Sequence, residues 1–172
     1  MNTHQILGYL DCFLSKQRCT YSVLPCNYLK KLKVLQYPLY LIVNTAPSSH
    51  SGLHWIAIYR ASSKSPLIFL DSYGMDISSY NKCFSLFAKS CNVKVIEADK
   101  RLQDFNSNVC GHYAIFFIYE LFKRGCLKTL YNGFKNDPNK NDIKVKSFVR
   151  KRVCRTRCKK PTPNQCCTKF GK

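Results

Sequence analysis

Acidic residues are scarce in this chain of 172 residues: nine Asp and Glu stand against 28 Lys and Arg, for a formal net charge of +19. Eleven of the basic residues and none of the acidic ones lie between residues 144 and 172, so the other 17 basic and nine acidic residues leave +8 on residues 1–143. A surface with so little negative charge favours a polyanionic partner, because each neutralised phosphate releases condensed counterions. We therefore expect the chain to bind nucleic acid, and a tail that only increases solubility is the alternative. The expected binding residues are Arg150, Lys151, Arg152, Arg155, Arg157, Lys159 and Lys160.

Long hydrophobic runs are also missing. The longest one, Tyr113 to Tyr119, is far shorter than the roughly 20 residues that a membrane span needs, so no membrane association is expected. The first residues lack the basic, then apolar, then small-residue order of a secretory signal. The chain has 11 cysteines, but their odd number and irregular spacing argue against a disulfide scaffold. We therefore expect an intracellular protein in a reducing compartment, with most thiols free.

The composition, with 45% hydrophobic residues, is that of one globular domain. Apolar spacing predicts helices over residues 4–15, 25–35 and 81–90, the second marked by Pro25. Apolar runs bounded by turn residues predict strands over residues 39–43, 54–60, 67–70 and 93–98. Residues 137–142 are predicted to be a loop and 144–153 a basic helix, so the domain is expected to span residues 1–153. Residues 154–172, which contain two prolines and little to pack, are predicted to form a flexible, basic, cysteine-containing tail.

The run from Cys110 to Arg124 is apolar on every side and follows the cap-forming residues 106–108, which predicts a buried central helix. Strands followed by this helix predict an α+β domain with a mixed sheet. A thiol at the start of a helix meets unpaired backbone N–H groups, which favour the thiolate. Gly111 lets a substrate backbone approach closely, and Gln103 can offer an amide donor to a developing oxyanion. A buried structural cysteine is the commoner occupant of such a position.

His54 begins a predicted strand, next to Trp55, which can shield the imidazole and line a cleft. Asp71 ends the next strand of the same hairpin, and antiparallel neighbours can place these two side chains side by side. A cysteine, a histidine and a carboxylate in these roles form an activated-nucleophile set. A hairpin with a surface histidine and aspartate is also common, so the pair alone does not require catalysis.

Taken together, these segments resemble the adenain family, the adenovirus-type cysteine proteases. The resemblance covers residues 39–120 and rests on four stretches that match in kind, order and spacing: Leu41–Ala46, Gly52–Ala57, Phe69–Gly74 and Gln103–Gly111. It implies a papain-like arrangement in the clan that adenain shares with the SUMO proteases, with the nucleophile on the buried helix. The family's catalytic set then falls on His54, Asp71, Gln103 and Cys110. The family often has Glu at the acidic position, so Asp71 is a shorter variant.

The resemblance implies a cysteine endopeptidase that cleaves capsid or core precursor proteins during particle maturation, often next to small Gly-containing sequences. It implies a monomer that binds DNA nonspecifically and acts in the host nucleus and in the virion. A peptide cofactor that pairs through a cysteine stimulates some members, and Cys91 lies near the corresponding region. No cofactor or metal is expected to be required. The spacers are closer to proteases of Polinton (Maverick) elements and adintovirus-like genomes than to those of adenoviruses.

Two other functions stay open at this point. A SUMO or ubiquitin-like-modifier deconjugating protease shares the His-Trp, Asp, Gln and Cys-Gly pattern, although the chain is short for recognising a folded modifier. Cleavage of a SUMO-linked conjugate rather than a Gly-containing peptide would identify it. A non-catalytic, basic nucleic-acid-binding protein is the second, and the intact catalytic set argues against it.

Two local alternatives concern a histidine and the cysteines near the C-terminus. His112 is a weak candidate for the base, because it lies two positions after Cys110 on the helix, and side chains two positions apart point away from each other. A zinc site would require paired ligands at both ends, and Cys154 and Cys158 provide one pair only, since Cys166 and Cys167 are adjacent. No metal site is therefore predicted.

Overall fold

The structure, a computed structural model, describes residues 1–125, 127 and 130–153. For residues 152 and 153 it describes the backbone but not the side chains. Its α-helices are α1 (Thr3–Leu14), α2 (Lys82–Cys91), α3 (Cys110–Arg124) and α4 (Pro138–Phe148). Its strands are β1 (Thr20–Pro25), β2 (Leu39–Asn44), β3 (Trp55–Arg60), β4 (Leu67–Leu70) and β5 (Val95–Glu97). Short 3₁₀ helices lie at Cys26–Lys31, Ile77–Ser79 and Tyr131–Gly133, and a π-helical turn at Val149–Val153 follows α4.

The strands form one mixed sheet in the order β1-β2-β3-β4-β5. The two outer pairs are parallel and the two inner pairs are antiparallel. In the central hairpin Ala57 lies opposite Leu70. Asp71, which follows β4, and His54, which precedes β3, therefore emerge at the same end of the sheet. This mixed sheet confirms the predicted α+β class.

Helices cover both faces of the sheet. One face packs against α1, α3 and α4, while α2 and the first 3₁₀ helix cover the other. The helix α3 is buried nearly all round, as its sequence predicts, and each fully buried large side chain contributes about 1.5–3 kcal/mol. Its buried residues are Gly111, Tyr113, Ala114, Ile115, Phe116, Phe117, Ile118 and Leu121.

Seven of the predicted helices and strands are present with ends within two residues of the prediction. The predicted loop over residues 137–142 is wrong, because α4 begins there. Asp137 accepts a hydrogen bond from the N–H of Lys140 at 3.2 Å, and Pro138 occupies the first turn. An Asp-Pro pair suits a turn, but it also suits the start of a helix, where the missing proline N–H costs nothing.

Three further details differ from the prediction. The helix predicted over residues 25–35 is limited to the 3₁₀ turn Cys26–Lys31, and β1 was not predicted at all. The helix predicted over residues 144–153 is divided between the end of α4 and the π-helical turn. The strand β1 forms an edge of the sheet and mixes Thr, Tyr and Ser with Val23 and Leu24, which are its only buried side chains, so it lacks a continuous apolar run.

Among the described residues, no helix combines the length and apolar character needed to cross a membrane. The predicted tail, residues 154–172, lies outside the described residues. The division into a domain and a tail therefore stays a prediction.

Candidate active site

Three side chains from separate stretches of the chain meet at one end of the sheet. Nε2 of His54 lies 2.6 Å from Oδ1 of Asp71. The same imidazole forms a hydrogen bond with the sulfur of Cys110, the first residue of α3. His54 is 8% exposed and Asp71 is fully buried. Because Nε2 faces the carboxylate, Nδ1 is the nitrogen left for the sulfur.

The start of α3 has no side-chain cap, so the predicted cap at residues 106–108 is wrong. Val109 occupies the N-cap position and forms no side-chain hydrogen bond to the helix. Asn106 and Ser107 belong instead to a turn around Asp104, which accepts the N–H of Asn106 at 2.8 Å. The N–H of His112 donates to the carbonyl of Val109 at 2.8 Å, so only the N–H groups of Cys110 and Gly111 remain for acceptors at the site.

The Cys110 thiol is more acidic than an ordinary one. Burial alone raises its pKa, but the hydrogen bond and charge of His54 outweigh that effect and lower the pKa. The backbone N–H groups of Trp55 and Gly111 lower it further by bonding to the sulfur. A thiolate next to an imidazolium is the form that such a balance favours.

The pKa of the His54 imidazole is raised, and the pKa of the Asp71 carboxylate is lowered. Burial disfavours the charged form of His54, but the hydrogen bonds and charges of Asp71 and Cys110 prevail and raise its pKa to about 9. Burial likewise raises the pKa of Asp71, and the hydrogen bond and charge of His54 reverse this and lower the pKa overall. These shifts favour the charged form of each group: a thiolate at Cys110, an imidazolium at His54 and a carboxylate at Asp71.

Two tyrosines that were not singled out from the sequence complete the surroundings of His54. The ring of Tyr73 is stacked on the imidazole at 4.7 Å between centroids, and that of Tyr80 lies at 6.1 Å. The Tyr80 hydroxyl donates to Oδ2 of Asp71 at 2.7 Å, and the Tyr73 backbone N–H donates to Oδ1 at 3.1 Å. The only sequence signal is the turn that must follow β4, which brings both residues back over the site.

Gln103 is fully buried beside these groups and fixed at both ends of its amide. Its Oε1 accepts a hydrogen bond from the Ser72 hydroxyl at 2.7 Å. Its Nε2 donates to the carbonyl of Ser107 at 2.9 Å and to the hydroxyl of Tyr73 at 3.2 Å. The structure thus brings Gln103 to the site, with both amide hydrogens engaged.

The segment that carries Gln103 is held by α3 and α4. The hydroxyl of Tyr113 lies 2.8 Å from the carbonyl of Leu102 and 2.9 Å from Oδ1 of Asp142. Asn141 donates to the same carbonyl at 3.2 Å. Because these partners are buried, loss of one would leave another unsatisfied.

Trp55 and Gly111 form the wall on the other side of the sulfur. The indole N–H of Trp55 donates to the carbonyl of Met1 at 3.1 Å, and the ring borders a cavity of about 400 Å³ together with Asn44 and Gly52. A Cβ at Gly111 would lie 3.4 Å from atoms of Ile6, Met1 and Trp55. Gly111 thus packs against the protein's own residues on the side where a Cβ would stand, and the approach of a substrate backbone there stays a prediction.

The other residues considered from the sequence lie away from this cluster. His112 has a buried Nδ1 without a hydrogen-bond partner among the described residues, and burial lowers its pKa to about 4. Cys91, at the end of α2, is a partly buried thiol whose pKa is raised by burial.

Of the predicted nucleic-acid-binding residues, Arg150 and Lys151 are exposed on the π-helical turn. The side chain of Arg152 lies outside the described part of the structure. So do Arg155, Arg157, Lys159 and Lys160, together with the cysteines of the predicted tail.

Comparison with known proteins gives one informative similarity, and no family model matches the chain. The chain is 28% identical over 145 residues to a protein named Protease from bovine adenovirus 7. The alignment covers 78% of this chain and 62% of that relative, so the chain spans less than two thirds of the relative's length. This similarity supports the resemblance to adenain-like proteases that the residues carry.

Proposed function

We propose that this protein is a cysteine endopeptidase in which Cys110 is the nucleophile and His54 is the general acid and base. The observation that supports this most strongly is the contact of one imidazole with both the Asp71 carboxylate, at 2.6 Å, and the Cys110 sulfur. The similarity to an adenovirus protease supports the same reaction class.

The reaction begins with the Cys110 thiolate attacking a peptide carbonyl carbon. The imidazolium of His54 then gives its proton to the leaving amine, which leaves an acyl-enzyme that water hydrolyses with His54 as base. Asp71 keeps the ring in the orientation that presents Nδ1 to the sulfur, because its hydrogen bond to Nε2 fixes the imidazole plane.

The oxyanion formed in each step lies near the start of α3. The N–H of Cys110 is one of the first-turn groups without a helical acceptor, and it is the first donor we assign, with that of Gly111 beside it. Gln103 is assigned to the same oxyanion site, since its buried amide bonds to the hydroxyl of Tyr73, whose ring is stacked on His54. Donors fixed by the fold cost little reorganisation when the charge develops.

The substrates we propose are capsid or core precursor proteins cleaved next to small, Gly-containing sequences. The cavity of about 400 Å³ beside Trp55 is the place for the peptide on one side of the cleaved bond. Asn44 lines this cavity, and its side chain is fixed because its Oδ1 accepts the N–H groups of Ala46 and Leu53.

The biological setting is proposed on the same resemblance. The protein acts as a monomer in the host nucleus and in the virion of a Polinton-like or adintovirus-like element, and a peptide cofactor and DNA stimulate it. Arg150 and Lys151, exposed at the end of α4, support DNA binding at that corner of the domain. DNA affinity should fall steeply with salt, and an affinity unchanged by deleting residues 154–172 would contradict a role for the tail.

The test of the peptidase is turnover of a Gly-containing fluorogenic peptide by the purified full chain, with the Cys110→Ala variant. We expect the variant to be folded and inactive. Cys19→Ala is a matched control, because Cys19 is a partly buried thiol whose pKa burial raises, and that variant should keep full activity. Full activity of Cys110→Ala would remove the proposal.

Mass-spectrometric mapping then addresses the substrates. Candidate capsid proteins co-expressed with the wild-type chain should be cut at a small number of Gly-containing sites, and co-expression with Cys110→Ala should leave them intact. Cuts that appear with both proteins would belong to a host protease.

A further inference from the structure

Gln103 has no uncommitted N–H in this structure. One amide hydrogen bonds to the Ser107 carbonyl at 2.9 Å and the other to the Tyr73 hydroxyl at 3.2 Å. The Ser107 contact fixes the orientation of the amide, because a carbonyl can only accept, and the Ser72 hydroxyl at 2.7 Å donates to Oε1. Gln103 therefore reaches an oxyanion directly only by giving up one of these bonds.

The Tyr73 hydroxyl, unlike the Gln103 amide, still has a proton to donate. It accepts the hydrogen bond from Gln103, and its own proton has no acceptor within residues 1–125, 127 and 130–153. Burial, followed by the charges of Cys110 and Asp71, raises its pKa, so the phenol stays neutral and remains a donor. The proton is available to an oxygen that enters the site.

The ring of Tyr73 is fixed in this position from several sides. It is stacked on His54 at 4.7 Å with 24° between the ring planes, and its backbone N–H donates to Asp71. Phe105, which is 64% exposed, stacks on the ring at 5.5 Å, and the guanidinium of Arg101 lies 4.4 Å from the Phe105 ring. The hydroxyl of Tyr73 therefore belongs to a ring fixed against the imidazole that interacts with the sulfur, and the charge of Cys110 is among those that raise its pKa.

We propose that the hydroxyl of Tyr73 is a catalytic oxyanion donor, polarised by the amide of Gln103. This inference rests on the proposed function and adds a residue to it. When the Cys110 sulfur forms its bond to the carbonyl carbon, the C=O π pair moves onto oxygen, and that oxyanion accepts the Tyr73 O–H. When the pair returns, the C–N bond breaks and His54 gives its proton to the nitrogen. A hydroxyl that already accepts an N–H is a stronger donor, because chained hydrogen bonds polarise one another.

The experiment is the Tyr73→Phe variant, which keeps the stacked ring and removes only the hydroxyl. We expect kcat for the fluorogenic peptide to fall by about 10² with KM unchanged, as for loss of one oxyanion donor. Alkylation of Cys110 by iodoacetamide should keep its wild-type rate, because it reports the thiolate and involves no oxyanion. Tyr28→Phe, at a 45% exposed position on the first 3₁₀ helix, is the matched control and should change neither.

A second measurement does not depend on turnover. A peptide aldehyde forms a hemithioacetal with Cys110 whose oxygen occupies the oxyanion position, so Tyr73→Phe should weaken its binding in calorimetry by a factor similar to the loss in kcat. Unchanged kcat and aldehyde affinity would overturn the proposal, as would a rise in kcat, which would mean that the hydroxyl blocks the Gln103 amide. A parallel loss of iodoacetamide reactivity would also overturn it. None of these outcomes bears on the proposed peptidase activity itself, which is tested separately by the turnover of the Cys110 and His54 variants.

Discussion

Two cysteines, Cys26 and Cys110, begin helical elements on opposite faces of the sheet, and their thiols behave in opposite ways. Cys26 begins the first 3₁₀ helix, is fully buried, and interacts with the sulfur of Cys83. Burial first, and then the neighbouring Cys83, raise its pKa to about 11 despite bonds from the backbone N–H groups of Asn27 and Cys26 itself. At Cys110 burial acts in the same direction, but His54 reverses it. A helix start and backbone N–H groups are thus insufficient, and the imidazole decides the ionisation.

The largest effect is expected from His54→Ala, which should make Cys110 resemble Cys26. Without the imidazole, burial dominates, the thiol pKa rises, and the general acid is lost. We expect kcat/KM to fall by about 10⁴, at the upper end of the range for one acid–base group. Iodoacetamide alkylation of Cys110 at pH 6, followed by mass spectrometry, should fall to the level of Cys26.

The control is His4→Ala, a histidine on the exposed side of α1 that does not line the cavity beside Trp55. It should leave alkylation and turnover unchanged. Persistent rapid alkylation of Cys110 in His54→Ala would mean that the helix start alone produces the thiolate, and the distinction between the two cysteines would fail.

The next largest effect is expected from Gln103→Ala, which separates ionisation from stabilisation of the oxyanion. The Cys110 pKa should remain lowered, because the groups that lower it are His54, Trp55 and Gly111. Turnover should fall by about 10²–10³. Urea unfolding should accompany the kinetics, because the buried hydroxyl of Ser72 loses its partner. A fall in iodoacetamide reactivity equal to the fall in kcat would contradict this separation.

Much of this site could be predicted from the sequence because its parts lie at the ends of strongly patterned elements. His54 precedes β3 and Asp71 follows β4, and the hairpin register alone brings them together. Cys110 begins α3, which has more buried residues than any other helix in the described part of the chain. The bond that orients Gln103 and the stacking of Tyr73 depend on the irregular segments 72–80 and 101–109, whose paths are set by tertiary hydrogen bonds rather than by periodicity. The loop predicted over residues 137–142 was wrong for a related reason, because an Asp-Pro pair permits both a turn and the start of a helix.

Asp71→Asn should raise the pKa of the Cys110 thiol part of the way toward that of Cys26. In the wild type, activity should rise as pH increases through the lowered Cys110 pKa, and fall as pH increases through about 9, where His54 loses its proton. Replacing the carboxylate with an amide removes a charge that raises the His54 pKa, so the alkaline limb should move to lower pH. We expect about a 10² loss in kcat/KM at the optimum, less than for His54→Ala, because Tyr73 still holds the ring.

The pH–rate profile of kcat/KM provides the measurement, since its limbs report the free enzyme and belong to the coupled pair of groups. Asp76→Asn is the matched control: Asp76 caps the 3₁₀ helix at Ile77–Ser79, away from the imidazole, and should leave both limbs in place. An alkaline limb that stays near its wild-type position in Asp71→Asn would show that the carboxylate does not set the charge of His54.

The smallest effect on activity is expected from Cys26→Ala, and it tests the other half of the comparison. The Cys26 sulfur packs with Leu24, Leu29 and the α2 face of the sheet, so its removal leaves a small void and should cost about 1 kcal/mol of unfolding free energy. That loss should appear as a lower urea midpoint with an unchanged slope. The kcat/KM value and the pH profile should remain those of the wild type, because the sheet separates this thiol from His54. A loss of turnover comparable to that of Cys110→Ala would mean that the two faces are coupled, and that a buried thiol with a raised pKa participates in the reaction.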